Sequence, residues 1–292
     1  MAASTTLLAI VNPLSGTASA AQRQQLSQYM ARRAEQAGFT AEIAVTTHAG
    51  HATELANAAV RQGIGRVLAI GGDGTINETA RALRQSATAL GIVPMGSGNG
   101  LARHLGVPLD TRKAIDKALN GKPVVIDSGE IGGHPFFCTA GLGFEAHVAH
   151  VFAQQPVRGL PTYIRTAYGA FWNYKPSDYA VNGQEKKLFT LTFANAGQFG
   201  NNAWVAPHAN IADGRLDQCE IKPFPKSVSG GLAWRLFNRT LDSSAYWHGE
   251  TITKAVVEST QSLVIHADGE PLLFAESRCD IRVLPGSLLV LL

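Results

Sequence analysis

The chain has 292 residues, of which 45% are apolar and 16% are charged, and this composition excludes a largely disordered protein. Its length suits two domains or one large one. The formal net charge is only +3 and no dense Lys/Arg run occurs, which argues against nucleic-acid binding but is compatible with contact to an anionic membrane surface. No window approaches the roughly 18–20 apolar residues that span a bilayer. The three scattered cysteines are typical of a reducing cytosol, so a cytoplasmic protein is expected.

Residues 1–123 predict an α/β domain. Short apolar runs indicate buried strands at Leu7–Val11, Thr40–Val45, Val67–Ile70 and Ala89–Val93. Helical patterns lie between or after them at Ala20–Ala37, His51–Gln62, Asn77–Arg84 and Thr111–Leu119. Because strands that alternate with helices pair in parallel and are covered on both faces, we expect a doubly wound parallel sheet.

Residues 124–292 predict a second domain, a mainly antiparallel β-sandwich. Two hairpins are expected, one from Val124–Ile131 to Pro135–Thr139 and one across the Asn182-Gly183 turn from Tyr179–Val181 to Leu188–Asn195. Further strands are predicted at Leu216–Ile221, Ala255–Ser259, Ser262–Ala267 and Ile281–Leu291, with helices near Glu145–Ala153 and Thr162–Asn173. Whether the last strand returns to the first domain stays open.

The most informative motif follows the third predicted strand. There the chain runs through Gly71-Gly72-Asp73-Gly74-Thr75 into a helix. Glycines permit positive φ and let a phosphate approach main-chain N–H groups, and the helix N-terminus adds partial positive charge. An aspartate in such a turn indicates either Mg²⁺ on the phosphates of ATP or an acceptor hydroxyl that loses its proton. The alternative is a tight turn with a solvated aspartate.

Two further turns are expected at the same edge of the sheet. Gly96-Ser97-Gly98-Asn99 follows the next predicted strand, and Asn12-Pro13-Leu14-Ser15-Gly16 follows the first. Turns at the carboxyl ends of neighbouring parallel strands line one crevice, where open α/β sheets bind ligands. The spacing matches neither the dinucleotide fingerprint nor the phosphate loop with Gly-Lys-Ser/Thr. Taken alone, the Asn12–Gly16 loop is equally an ordinary turn.

Together the three motifs resemble the catalytic domain of diacylglycerol kinases, a family related to sphingosine and ceramide kinases and to bacterial lipid kinases. Shorter matches in the second half lie at Val125–Gly129, Ala212–Asp217 and Ala267–Glu270. The resemblance implies an α/β nucleotide domain joined to a β-sandwich, with ATP and Mg²⁺ in a cleft and the lipid entering against the sandwich. It predicts an ATP-dependent lipid kinase with a diacylglycerol-like or sphingoid acceptor.

The resemblance also implies roles for individual residues. Asp73 would act at the reaction centre, Asp127 would join its polar network, and Glu270 would be a second candidate base or nucleotide contact. Asp213, with the Leu216 carbonyl, stands where bacterial members hold a structural Mg²⁺. Thr17 stands where many relatives carry Lys or Arg, so a cation would come from elsewhere, for example Arg103. The implied nucleotide contacts are Asn12, Thr46, Gly71, Gly72, Gly74, Thr75, Glu78, Gly96, Ser97, Gly98 and Asn99.

Alternative functions stay open at this point. NAD kinases and phosphofructokinase-like enzymes, which have soluble acceptors, also use Gly-Gly-Asp-Gly turns, although the Gly96–Ala102 segment favours the lipid kinases. A non-catalytic lipid- or nucleotide-binding regulator is a second alternative, and the intact Asp73, Glu78 and Glu270 argue against it. A homodimer is compatible with the sequence.

Two minor features accompany these motifs. The aromatic stretch Tyr163–Tyr174, with Arg165 and Lys175 close by, indicates either a face that lies on a membrane or ordinary core packing. We expect a cytoplasmic enzyme in peripheral contact with membrane. His147 and His150 have helical spacing but no third metal ligand at a convincing distance in sequence.

Overall fold

The structure is a computed structural model that describes residues 5–16, 20–156, 159–272 and 274–292. The chain divides into two compact units, one that runs to Ile126 and includes Gly286–Leu292, and one that comprises Asp127–Pro285. Over the described residues, no helix is both long enough and apolar enough to cross a bilayer.

The first unit is a parallel sheet whose strands alternate with helices. Its elements are β1 (Thr6–Val11), α1 (Ala20–Gln36), β2 (Thr40–Val45), α2 (His51–Arg61), β3 (Arg66–Gly71), α3 (Asp73–Leu83), β4 (Ala89–Pro94), α4 (Gly100–His104) and α5 (Thr111–Asn120). The strand order is β2-β1-β3-β4, and all three pairings are parallel. Strands β1, β3 and β4 are buried almost throughout, as their uninterrupted apolar sequences predict, whereas the edge strand β2 is largely exposed.

The helices of this unit pack in two pairs. Helix α1 is tied to α5 because Tyr29 and Arg33 both donate hydrogen bonds to Asp116, at 3.0 and 2.7 Å. Helix α2 packs against α3. Asp110 caps α5 by accepting a hydrogen bond from the Lys113 N–H at 2.9 Å, as expected of an aspartate at that position. The predicted α/β fold of this half is confirmed.

The second unit is mainly antiparallel. Its elements are β5 (Pro123–Ile131), β6 (His134–Phe136), β7 (Thr139–Gly143), α6 (Phe144–Ala153), α7 (Leu160–Asn173), β8 (Ser177–Val181), β9 (Gln184–Leu188), β10 (Thr190–Ala194), β11 (Leu216–Ile221), α8 (Ser229–Phe237), β12 (Trp247–Ile252), β13 (Lys254–Glu258), β14 (Ile265–Ala267), β15 (Glu270–Leu272) and β16 (Arg278–Leu291). Short 3₁₀ helices occupy Lys226–Val228 and Leu241–Ser243.

Two sheets form the second unit and share one apolar core. One has the order β12-β11-β10-β7-β14-β15, and the other contains β16, β13, β8 and β9 in that order, with β5 beside β16 and β6 beside β5. Buried side chains from both sheets form one cluster, which includes Leu142, Phe193, Val257 and Ile281. The antiparallel two-sheet prediction is confirmed. Strand β16 continues into the first unit, where Val290 pairs in parallel with Leu90 of β4.

Several element boundaries differ from expectation. Helix α3 begins at Asp73 rather than Asn77, because the Ile76 N–H already bonds to the Gly72 carbonyl at 3.1 Å. The strand that returns from the Asn182-Gly183 turn is β9 (Gln184–Leu188), and residues 190–194 form the separate strand β10. Helix α8 is absent from the sequence prediction, since Gly230 and Gly231 in its first turn weaken the helical pattern.

Candidate functional site

Three loops follow neighbouring strands of the parallel sheet. They begin after β1, β3 and β4, the strands that lie side by side in the order β1-β3-β4. Parallel strands end at one edge of a sheet, so the loops at Asn12–Gly16, Gly72–Thr75 and Met95–Asn99 meet there. The sequence predicted this assembly, and the hydrogen bonds between the loops confirm that they are in contact.

Asp73 joins the second loop to the third. Its Oδ2 accepts a hydrogen bond from the Asn99 N–H and its Oδ1 accepts one from the Gly100 N–H, both at 2.9 Å. Gly98 lies against the same carboxylate, because a Cβ added there would be 2.8 Å from Asp73 Oδ2. A carboxylate that accepts two main-chain N–H groups forms strong, charge-assisted bonds. Asp73 therefore fixes the spacing between the two glycine-rich turns.

The glycines of these turns allow the main chains of the two turns to approach each other closely. A Cβ on Gly96 would lie 2.9 Å from the Gly72 Cα, and one on Gly71 would lie 2.6 Å from the Thr75 Cβ. Gly72 does not use the positive φ that glycine permits, because its φ is −84° and its ψ is −175°, which is extended backbone open to any residue. The two turns thus touch through main-chain atoms, and no side chain separates them.

Asn99 shapes the third loop. It is 5% exposed and has left-handed backbone at φ 51°. Its Oδ1 accepts the Gly96 N–H at 3.1 Å and its Nδ2 donates to the Gly96 carbonyl at 2.8 Å, which closes the turn around the exposed Ser97. Arg103 donates a hydrogen bond from Nε to the Gly98 carbonyl at 3.0 Å. The positive charge that Thr17 does not supply, and for which Arg103 was the candidate, therefore lies at this turn. Thr17 itself is outside the described residues.

The first loop bonds to the second. Ser15 Oγ accepts the Gly72 N–H at 3.1 Å, and Asn12 Nδ2 donates to Thr75 Oγ1 at 3.0 Å. Gly16 has φ 71°, and a Cβ there would lie 3.3 Å from the Met95 carbonyl oxygen of the third loop. All three loops are therefore linked, and Asn12 and Thr75 lie at their junction.

Two other predicted nucleotide contacts hold the neighbouring elements. Glu78, on α3, accepts hydrogen bonds from the Gly50 and Ala52 N–H groups, at 2.9 and 3.2 Å, and so caps the N-terminus of α2. Thr46 is 9% exposed and follows β2, where its N–H bonds to the Val11 carbonyl at 2.9 Å. Glu78 thus has a structural function that accounts for its presence without a ligand.

The remaining predicted carboxylates lie in the second unit. Asp127 is 3% exposed, and its Oδ2 accepts the Gly214 N–H at 2.7 Å. Glu270 begins β15 and is half-buried. The motif Ala267–Glu270 also contains Asp268, whose function the sequence did not predict. Asp268 accepts hydrogen bonds from the N–H groups of Phe137, Cys138 and Thr139 at 2.9, 2.7 and 3.1 Å. Its Asp-Gly turn with φ 51° could have signalled this function.

The predicted Mg²⁺ position lies before β11. Asp213 Oδ1 accepts the Arg215 N–H of its own loop at 3.0 Å. Burial raises the pKa of Asp217 to about 6, and the negative charge of Asp213 adds to this effect. Two nearby carboxylates and a main-chain carbonyl are the oxygen donors that Mg²⁺ prefers, so the donor set fits. No cluster of three or more His, Cys, Asp or Glu side chains suited to a metal occurs in the described ranges, so such a site would depend on main-chain oxygen and water.

A buried polar network in the second unit was also missed. Glu145 on α6 lies with its Oε1 3.3 Å from His266 Nε2, and the Thr192 hydroxyl lies 2.9 Å from both of its carboxylate oxygens. Burial raises the pKa of Glu145, and His266 and Thr192 oppose that shift. His266 Nδ1 accepts the Gly269 N–H at 3.2 Å, which links the network to the turn before Glu270. Glu145 resembles an ordinary acid in a first helical turn, so its local sequence carries no signal.

Comparison with known proteins agrees with this geometry. Residues 6–131 match the family model of the diacylglycerol kinase catalytic domain, and residues 139–292 match that of the YegS C-terminal NAD kinase β-sandwich-like domain. A protein of Chromohalobacter salexigens named "Probable lipid kinase YegS-like" is 30% identical, with 88% of this chain and 85% of that protein aligned. The diacylglycerol kinase of Bacillus subtilis is also 30% identical, over 73% of this chain and 72% of its own.

A solved structure supports the fold. The crystal structure of a diacylglycerol kinase from Bacillus anthracis superimposes with a TM-score of 0.76 at 19% identity, covering 98% of this chain and 96% of the other. At that level of identity the likeness is one of fold. It extends over both units.

Proposed function

Because the chain belongs to the family of diacylglycerol kinases and YegS-like lipid kinases, and is therefore a kinase, we propose that it transfers the γ-phosphate of ATP to a hydroxyl group of a lipid. The proposed acceptor is diacylglycerol-like or sphingoid. The observation that carries the proposal is the carboxylate of Asp73, which accepts the Asn99 and Gly100 N–H groups and so holds two glycine-rich turns in contact.

The turns supply what phosphate binding requires. Main-chain N–H groups and the N-terminus of α3, an 11-residue helix, provide partial positive charge without a Cβ that would keep a phosphate away. Arg103, bonded to the Gly98 carbonyl, is the proposed full positive charge at this edge. Phosphoryl transfer depends mainly on such positioning and charge neutralisation. The residues proposed to contact the nucleotide are Asn12, Thr46, Gly71, Gly72, Gly74, Thr75, Glu78, Gly96, Ser97, Gly98 and Asn99.

Asp73 and Glu270 are the two proposed carboxylates of the reaction. Both oxygens of Asp73 already accept main-chain N–H groups, so its proposed part is to order the turns and to hold Mg²⁺. Glu270, half-buried at the start of β15, is then the stronger candidate to accept the proton of the lipid hydroxyl. Asp127 is proposed to support the reaction centre by fixing the Gly214 loop. When bound, Mg²⁺ would neutralise charge on the phosphates.

A turnover assay tests the proposal. The purified chain, Mg²⁺ and γ-labelled ATP are incubated with mixed micelles of diacylglycerol, a sphingoid base or ceramide, and with NAD as a soluble acceptor. We expect labelled lipid from the native chain and none from the Glu270→Gln variant. Labelled NADP with no labelled lipid would instead favour the soluble-acceptor kinase, and ATP binding without any product would favour the non-catalytic regulator.

The acceptor also suggests where the enzyme works. A lipid of this kind resides in a bilayer, and no helix in the described part of the chain is suited to span one. We propose a cytoplasmic enzyme, as its three scattered cysteines indicate, that contacts the membrane peripherally to reach this acceptor. Sedimentation in solution would show whether the enzyme is a monomer or a homodimer.

A further inference from the structure

Helix α7 presents an apolar stripe to solvent. Ile164, Tyr168 and Trp172 recur every fourth residue, which places them on one face, and they are 56%, 66% and 45% exposed. Phe171, seven residues after Ile164, borders this stripe and anchors the helix, since its ring lies 6.1 Å from that of Phe144 and 6.2 Å from that of Phe224. The exposed stripe is therefore not needed to hold α7 on its own unit.

Helix α8 shows the same division. Leu232 and Leu236 pack on a buried cluster around Val205. On the outside, Trp234 and Phe237 lie one turn apart and are 63% and 54% exposed. Large exposed aromatic side chains on two successive surface helices are unusual for a face that meets only water.

Lys226 connects the two helices. It lies in the 3₁₀ turn that leads directly into α8, and its ammonium group donates a hydrogen bond to the Trp172 carbonyl and lies 5.3 Å from the centre of the Trp172 ring. The C-terminal end of α7 thus adjoins the start of α8. We call the surface formed by Ile164, Tyr168, Trp172, Lys226, Trp234 and Phe237 the α7–α8 surface.

The charge of these segments has one sign. The sequence has no Asp or Glu from Ala146 to Ser177 or from Ile221 to Leu241. The same segments carry Arg165 and Lys175 around α7 and Lys222, Lys226, Arg235 and Arg239 around α8. A cavity of about 660 Å³ between α6 and α7 is lined by His147, Arg165 and Lys175 among others. The surface is thus both aromatic and cationic.

We propose that the α7–α8 surface docks the protein onto an anionic phospholipid bilayer. Tyr and Trp rings prefer the boundary between headgroups and acyl chains, and Lys and Arg near an anionic leaflet add electrostatic attraction. A second copy of the chain fits less well, because a two-fold contact would bring two cationic surfaces together. The idea that docking brings the enzyme to its lipid acceptor rests on the proposed function. The docking proposal itself does not depend on that function.

Vesicle co-sedimentation without ATP or acceptor tests the docking. The full chain is mixed with vesicles of phosphatidylcholine alone or with about one third phosphatidylglycerol. We expect binding to the anionic vesicles, at least tenfold weaker binding for Tyr168→Ala/Trp172→Ala, and a similar loss for Arg165→Glu/Lys175→Glu. The matched controls are Val264→Ala, an apolar residue 51% exposed elsewhere in the unit, and Lys254→Glu, an exposed lysine of β13. Equal binding by the stripe variants and these controls would overturn the proposal.

Depth of insertion and oligomeric state provide two further tests. Brominated acyl chains should quench the fluorescence of the native chain and quench the Trp172→Phe/Trp234→Phe variant much less. If the stripe substitutions instead turn a dimer into a monomer in sedimentation equilibrium and leave vesicle binding unchanged, the surface is a subunit interface and the proposal is wrong. Circular dichroism confirms that each variant is folded before it is compared.

The same variants separate docking from catalysis. On a short-chain diacylglycerol below its micellar concentration, Tyr168→Ala/Trp172→Ala should retain the native turnover. On acceptor embedded in anionic vesicles, its turnover should fall at least tenfold. Vesicle binding with no turnover on either acceptor would refute the proposed transfer to a diacylglycerol-like lipid and leave docking intact. Native turnover on vesicles by the stripe variant would refute docking as the route to the acceptor.

Discussion

Asp73 in the first unit and Asp268 in the second invite comparison, since each precedes a glycine and each carboxylate accepts main-chain N–H groups from another segment. Asp73 accepts two, from Asn99 and Gly100, and stands in the first turn of α3. Asp268 accepts three, from Phe137, Cys138 and Thr139, and its own N–H bonds back to the Thr139 carbonyl at 2.7 Å.

The two aspartates differ in what they connect. Asp73 joins loops at the carboxyl ends of adjacent parallel strands, where open sheets bind ligands, whereas Asp268 joins the turn before β15 to the start of β7 inside an antiparallel sheet. The same dipeptide therefore lies at the proposed site in one unit and in the framework of the other. Its meaning depends on the type of sheet that surrounds it, and substitution should separate the two.

Substitution of Asp73 should have the largest effect on activity. In Asp73→Asn, one carboxylate oxygen becomes an NH₂ group that cannot accept the N–H it faces, so the two turns lose their fixed spacing. We expect turnover to fall by about 10²-fold, the effect of a misplacement of about 1 Å at a reaction centre. Initial rates with labelled ATP and a diacylglycerol acceptor measure this.

Asp110→Asn is the matched control for that experiment. Asp110 caps α5 through the Lys113 N–H, and asparagine caps helices as well as aspartate does, so this variant should keep native turnover. Full activity in Asp73→Asn would show that the contact between the turns does not matter for catalysis, and the contrast between Asp73 and Asp268 would fail.

Asp268→Asn should affect the second unit alone. The asparagine can accept with only one oxygen, so at least one N–H among residues 137–139 loses its partner, at a cost of about 2–4 kcal/mol. The exchange rates of those amide hydrogens, measured by hydrogen–deuterium exchange, should rise. ATP affinity should remain native. Asp178→Asn, at a carboxyl 79% exposed and 3.7 Å from Lys187, is the control and should cost less than about 0.5 kcal/mol. Unchanged protection in the Asp268 variant would contradict its structural function.

These contacts show which parts of the structure the sequence can predict and which it cannot. The buried strands of the first unit follow from uninterrupted apolar runs, and the three loops follow from strand order, so the contact of Asp73 with the third loop could be anticipated. The partners of Asp268 could not, because residues 137–139 lie about 130 positions away and the antiparallel pairing that joins them has no short-range signal. Glu145 and His266 were missed for the same reason, since their proximity depends on α6 packing near β14.

A third Asp-Gly pair, Asp213-Gly214, should bind Mg²⁺. Its carboxylate accepts the Arg215 N–H of its own loop, and the negative charge it shares with Asp217 is what a bound Mg²⁺ would offset. Mg²⁺ at about a hundred times its dissociation constant should stabilise the second unit by about 2.7 kcal/mol. Thermal unfolding with and without Mg²⁺ measures this in the absence of ATP. Asp213→Asn should abolish the increase, and Glu185→Gln, at an exposed carboxyl on β9, should preserve it. An equal increase in all three proteins would argue against this position.

The smallest effects should come from the glycines where the turns touch, and they distinguish close approach from backbone freedom as the reason for those residues. Gly96→Ala would place a Cβ 2.9 Å from the Gly72 Cα and 3.0 Å from Asn99 Oδ1, so the turns must separate, at a cost of about 1–3 kcal/mol and with weaker ATP binding. Gly72→Ala would place its Cβ 3.5 Å from the Gly96 Cα, an ordinary contact, on extended backbone. We therefore expect near-native stability and ATP affinity for Gly72→Ala, measured by calorimetry beside Gly96→Ala. If Gly72→Ala proves the more harmful of the two, the loops must close on the nucleotide with Gly72 in a backbone conformation other than the extended one.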